Sequence, residues 1–219
     1  MFSILCLHEL GHLVFLKKYK REIISITFFP FGGIIKHSGN NNTNLKEDFY
    51  IHFGGLLVNI ILLFIFHMFN MQTCLLINLG IIISNSIPIY PLDGGKILKT
   101  LLNSIICYKK SLYISSIISF ISVTILLIIN ILFLKSYYII FIIITLYNIN
   151  IKYFYDIKKE YQYFLANKYI YPNEKLKMKK ITKFSNPIDK IYQGRNSIFI
   201  LDDLKIEEFE ILKNHFYSN

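Results

Sequence analysis

Long apolar runs alternate with short basic ones along this chain. Met1–Leu16, about Phe49–Met71, Thr73–Tyr90, Leu112–Leu134 and Ser136–Ile151 are dominated by aliphatic and aromatic side chains. Runs of that length and character predict helices that cross a membrane. The first is the shortest. At a helical rise of 1.5 Å per residue it covers about 24 Å, against a hydrocarbon thickness of about 30 Å. It therefore starts at the membrane edge or continues a segment upstream of Met1. Ile23–Ile35 is different: β-branched and aromatic residues flank Pro30-Phe31-Gly32-Gly33, which predicts a short hairpin at the membrane interface. Lys36–Asn44 reads as a polar loop. The third run ends in Asn85-Ser86-Ile87-Pro88-Ile89-Tyr90-Pro91-Leu92-Asp93-Gly94-Gly95, where two prolines and two glycines break the helix, and a short amphipathic stretch occupies Lys96–Lys110. From Lys152 the last 68 residues turn polar, with a strand expected at Ser197–Leu201 and a helix at Leu204–Phe216. The expected fold is mainly α. A polytopic membrane helical bundle of about five spans occupies residues 1–151, with a short membrane-associated β-hairpin, and residues 152–219 form a small α+β tail.

Composition agrees. Of 219 residues 53% are hydrophobic and the mean hydropathy is +0.44, too apolar for an ordinary soluble domain. The net charge of +10 sits between and after the apolar runs rather than along an aromatic-interleaved face, which argues against a nucleic-acid partner. If the five runs alternate in direction, the six Lys and Arg of 17–48, the four of 96–110 and the thirteen of the tail all fall on one side, leaving only Lys135 on the other. The positive-inside rule makes that side the cytoplasm, so a multi-pass membrane protein with a cytoplasmic tail is expected. Cys6, Cys74 and Cys107 are scattered and predict neither a disulfide framework nor a thiolate metal site.

The first run carries the chemistry. Between Met1 and Leu16 the only formally charged residue is Glu9, within His8-Glu9-Leu10-Gly11-His12. On a helix, His8 and His12 share a face one turn apart and can grip one zinc ion, and Glu9 can act as base toward a water that the metal activates. An ionisable cluster is expensive in a membrane span and is a functional-site hypothesis by default. Catalytic zinc takes a third protein ligand. Asp93 is the single acid between Phe49 and Tyr155, and lies at a matching depth at the broken end of the third run. A helix cap is its plain alternative. His37, His52 and His67 are weaker rivals because none has a spaced partner. Asn85 and Asn59 are candidates for positioning a substrate or for joining helices. Gly32 and Gly33 are candidates for the strand on which an extended substrate could pair.

These motifs resemble the site-2 protease family of intramembrane zinc metalloproteases (peptidase family M50), and in particular its stage IV sporulation FB branch. The family's H-E-x-x-H matches His8 through His12. Its Asn-x-x-Pro-x-x-Pro-Leu-Asp-Gly run matches Asn85 through Pro88 and Pro91 to Asp93 and Gly94. Pro30-Phe31-Gly32-Gly33 resembles the branch's hairpin, and Gly55-Leu56-Leu57-Val58-Asn59 a Gly-Pro-x-x-Asn element with Leu56 in place of Pro. The likeness covers about residues 1–155. It implies a zinc endopeptidase acting on membrane-tethered pro-proteins of the sigma-factor precursor type, in a lipid bilayer and under inhibitory membrane proteins. It also implies a helix preceding the first run. The branch's cystathionine-β-synthase-like domain is longer than this tail, so nucleotide binding does not carry over. Two other readings stay open: a catalytically inactive metal-binding scaffold, and a metal transporter. A transporter normally lines a path with several ionisable groups and often shows inverted repeats, whereas the apolar runs here hold only Glu9 and Asp93 as acids.

Overall fold

The computed structural model describes residues 2–21, 23–29, 32–37, 44–173, 176–182, 186–201 and 204–217, with backbone alone between residues 22 and 43. Helix α1 spans Phe2–Lys18 and is followed by strands β1, Ile23–Phe29, and β2, Gly32–His37. The two strands pair antiparallel, Phe29 opposite Gly32 and Phe28 opposite Gly33, as the β-branched composition predicts. The expected turn residues Pro30 and Phe31 lie outside the described residues.

Helices α2, Leu45–Met68, and α3, Gln72–Ser86, come next. Helix α4, Asp93–Ile105, is amphipathic; α5, Tyr108–Ile129, runs into a π-helical turn at Asn130–Leu134; and α6 spans Tyr137–Ile170. By length and composition α2, α5 with its π turn, and α6 can each cross a membrane, and α3 is a shorter apolar helix. Ile117, Ile121, Ile125 and Ile128 leave one stripe of α5 open, while Ser111, Ser115, Ser116 and Ser119 are buried on its inner side. Isoleucines facing outward and small hydroxyl residues facing inward fit a helix surrounded by lipid and packed closely on its neighbours. Helices α1 and α2 meet backbone to backbone: a Cβ on Gly11 would lie 2.4 Å from the Gly54 carbonyl oxygen.

Helix α3 has 15 residues, about 22 Å at the helical rise, because Pro88 and Pro91 lie just beyond its end. The two glycines expected in the break belong instead to the first turn of α4. A Cβ on Gly94 would lie 2.4 Å from the Ile87 carbonyl oxygen, so these positions let α4 start against the connection that precedes it. Asp93 thereby opens α4, tucked back against the bundle.

At residue 151 the composition changes but α6 continues for nineteen further residues as one 34-residue helix. In the tail, β3, Met178–Ile181, lies parallel to β4, Asn196–Leu201, which pairs antiparallel with β5, Leu204–Glu207. The helix expected from Leu204 begins at Glu208 as α7, Glu208–Tyr217, because Leu204–Glu207 is taken up by β4. Ile181, Ile191, Phe199, Ile211 and Leu212 of the tail share one core with Tyr108 and Leu112 of α5 and with Ile157, Phe164 and Leu165 of α6. Polar links reinforce it. Asn103 donates to Gln193 Oε1 at 2.6 Å and Gln193 donates to Asp48 at 3.0 Å, tying tail, α4 and α2. Lys168 Nζ donates to the carbonyls of Tyr192 and Arg195 and lies 2.5 Å from Glu208, an ion pair with both members buried.

Candidate metal centre

Helical spacing puts His8 and His12 on the inner face of α1, where both are buried, at 2% and 7% exposure. The short α3 and the early start of α4 bring Asp93, 3% exposed, to the same level. Asp93 Oδ2 lies 3.1 Å from His8 Nε2 and 3.0 Å from His12 Nε2, and the two Nε2 atoms are 3.4 Å apart. Among the described residues these three form the one group of His, Cys, Asp and Glu able to share an ion. His52 and His67 are not part of it, and the side chain of His37 lies outside the description. Glu9, half-buried, directly follows His8.

The surrounding hydrogen bonds decide which atoms face the centre. His12 Nδ1 is 2.7 Å from the carbonyl oxygen of Ile51. A carbonyl only accepts, so Nδ1 carries the hydrogen and neutral His12 turns a bare Nε2 lone pair inward. Asp93 Oδ1 accepts from Lys96 at 3.3 Å, while Asp93 Oδ2 has no conventional hydrogen-bond donor of its own. Lone pairs that converge in a buried space repel unless a cation lies among them. A single proton relieves one pair; a metal ion relieves all three.

The spacing also suits a metal. Tetrahedral zinc with bonds of 2.0–2.1 Å sets its ligand atoms about 3.4 Å apart, and the measured triangle is slightly tighter. Room is left on one side by Gly55, whose missing Cβ would lie 2.4 Å from His12 Nε2 and 2.7 Å from His8 Nε2. Two imidazoles and one carboxylate are a donor set of the catalytic zinc type, in which a fourth position is kept for water or substrate.

Asn59 is fully buried, its Nδ2 3.1 Å from His8 Nδ1 and its Oδ1 without a partner. With His8 Nε2 turned to a metal, His8 Nδ1 carries the hydrogen, and the reversed Asn59 amide would present Oδ1 to accept it. The Asn59 backbone oxygen accepts from Asn78 of α3 at 2.8 Å, so α1, α2 and α3 meet there. Asn85 is buried in α3 and donates to the Ile81 carbonyl of its own helix. Gly32 and Gly33 open β2 opposite Phe29 and Phe28. Sequence reasoning missed the Ile51 carbonyl, which no side-chain pattern can reveal, and two polar residues inside apolar runs, Ser119 and Asn150, whose polarity was the available signal.

No family model matches this chain. It is 31% identical over 120 residues to stage IV sporulation protein FB of Bacillus subtilis, covering 51% of this chain and 42% of that protein. It is 29% identical to a zinc metalloprotease of Methanocaldococcus jannaschii, over 99% of this chain and 60% of that protein. The solved structure of the site-2 protease from Methanocaldococcus jannaschii superposes with a TM-score of 0.52 at 27% identity, covering 73% of this chain and 74% of that one. Fold, membrane-length helices and sequence together resemble those of membrane-embedded metalloproteases. The chain is thus similar in sequence and fold to the site-2 protease family. It spans about half the length of the curated relatives it matches.

Proposed function

We propose that this chain is the core of an intramembrane zinc endopeptidase, with His8, His12 and Asp93 as the metal ligands and Glu9 as the general base. The observation that carries the reading is the convergence of two histidine Nε2 atoms and one carboxylate oxygen within 3.0–3.4 Å of one another in a buried space. A zinc ion held by these three residues would supply Lewis-acid chemistry, acidifying a water and polarising a peptide carbonyl. Glu9 takes the proton of the attacking water and returns it to the leaving amine. His12, oriented by the Ile51 carbonyl, and Asp93, oriented by Lys96, keep the donor atoms aligned before substrate arrives. The substrate must present an extended segment, because a helix hides its carbonyls. Strand β2, beginning at Gly32 and Gly33, supplies an edge for such a segment, and Asn85 lies at the α3 end where it would enter. The resemblance to the sporulation FB branch favours a membrane-tethered precursor of the pro-sigma type as substrate, and the distribution of Lys and Arg favours a cytoplasmic tail. The test is co-expression of the chain with a tethered pro-sigma substrate. Cleavage is expected with the wild type and is abolished by chelator or by Glu9→Gln. Cleavage that persists in Glu9→Gln removes Glu9 as the base.

A further inference from the structure

Asp93 reaches the two histidines from a six-residue connection, 87–92, between α3 and α4. A connection of that kind has free backbone groups and no helix of its own to fix it. Here one of its residues is held on both sides. The Tyr90 N–H donates to Ser119 Oγ of α5 at 2.8 Å. The Tyr90 carbonyl accepts from Asn150 Nδ2 of α6 at 2.7 Å. Ser119 Oγ in turn donates to Asn150 Oδ1 at 2.5 Å, and the second Asn150 N–H goes to the Leu146 carbonyl at 2.8 Å. Every polar atom of the Asn150 amide is thus engaged, so its orientation is fixed. Ser119 and Asn150 are 1% and 0% exposed. The neighbouring residues are seated on the same two helices: Ile89 is fully buried against Val123 of α5 and Ile143 and Leu146 of α6, and the Tyr90 ring stacks on Tyr153 at 4.1 Å.

We propose that Ser119 and Asn150 are positioning residues for the third metal ligand: they clamp the Tyr90 peptide, three residues before Asp93, and so set the depth at which the Asp93 carboxylate meets the histidines. The inference rests on the reading of Asp93 as a ligand. It assigns α5 and α6, which contribute none of the three ligands, the task of completing the centre. A merely structural role, satisfying the backbone where a helix breaks in lipid, would lower stability without a specific effect on the metal.

The experiment measures zinc affinity by chelator competition, and thermal unfolding in excess chelator, on the detergent-solubilised full chain. Ser119→Ala and Asn150→Ala are compared with Asp93→Asn and with Asn130→Ala. Asn130 is a matched control, a buried asparagine that links α5 to α6 through both polar atoms of Ser136's backbone at the other end of the helix pair. Asp93→Asn should release zinc. Ser119→Ala and Asn150→Ala should weaken zinc by about 10- to 100-fold, the range for residues that orient ligands, with KM for a tethered substrate unchanged. Asn130→Ala should lower the unfolding temperature and leave zinc affinity alone. If Asp93→Asn releases zinc while the two clamp variants hold it as tightly as wild type, the clamp is overturned and the ligand assignment stands. If Asp93→Asn holds zinc at wild-type affinity, the ligand assignment falls and the clamp with it. Should Asn150→Ala fail to accumulate as folded protein, Ser119→Ala, which removes one hydroxyl, decides the matter.

Discussion

Replacing Gly55 with alanine tests the metal centre by filling it. The added methyl would sit 2.4 Å from His12 Nε2, 2.6 Å from His8 Cε1 and 2.7 Å from His8 Nε2. Ordinary contact begins at 3.4 Å, so one side or the other must yield by about 1 Å. If His12 turns away, it loses its 2.7 Å bond to the Ile51 carbonyl, worth about 1 kcal/mol. If α2 backs off instead, the Gly11–Gly54 contact opens and α1 loses its closest neighbour. Overpacking of this kind costs about 1–3 kcal/mol, which a folded bundle survives. Metal binding is less tolerant, because ligand distances must hold within about 0.2 Å. Gly55→Ala should therefore fold, unfold a few degrees lower in chelator, and lose at least about 100-fold in zinc affinity and in cleavage, the usual consequence of a 1 Å misplacement. The assays are zinc-to-protein ratio after purification, chelator competition, and turnover of a tethered substrate. Leu57→Ala, an outward position two residues on, is the control and should match wild type. Full zinc occupancy and full turnover in Gly55→Ala would mean that the two Nε2 atoms do not meet an ion beside Gly55, and the centre as described would be refuted.

Asn59→Ala should weaken zinc by about 10-fold or more by removing the acceptor for His8 Nδ1–H, and Asn59→Asp should restore most of it, as read by the same competition assay. Lys168→Ala leaves Glu208 buried and uncompensated, and should destabilise the tail by about 3–5 kcal/mol, whereas Lys168→Met with Glu208→Gln should recover most of that; limited proteolysis of the tail separates the two outcomes.

Much of the architecture could be read from hydrophobic runs, since lipid forces backbone polar groups to be satisfied within helices and leaves composition as a direct signal. His8 and His12 were visible because helical periodicity alone brings them together. Asp93 was visible as an isolated acid after a proline-broken helix, although nothing in the pattern gives the distance across the bundle to α1. Other features depended on partners that a linear pattern cannot display. The break in composition at Lys152 suggested a helix end, yet Tyr153, Ile157, Tyr161 and Phe164 find a core in the tail and in α5, and α6 carries on. Leu204–Glu207 reads as helical in continuity with Glu208–Phe216, but β4 offers it a ladder. Ser119 and Asn150 gained meaning only when the α3–α4 connection was seen lying between them.

The unbroken course of α6 has a mechanical corollary. Thirty-four residues make a rod about 51 Å long, well beyond the thickness of the lipid core. Its C-terminal end is fastened through Lys168 to the segment just before β4 and to the start of α7, and nearer its middle Asn150 holds Tyr90. A continuous helix offers no hinge between those two points, so a turn or tilt imposed on the tail would be passed along it toward the Tyr90 peptide.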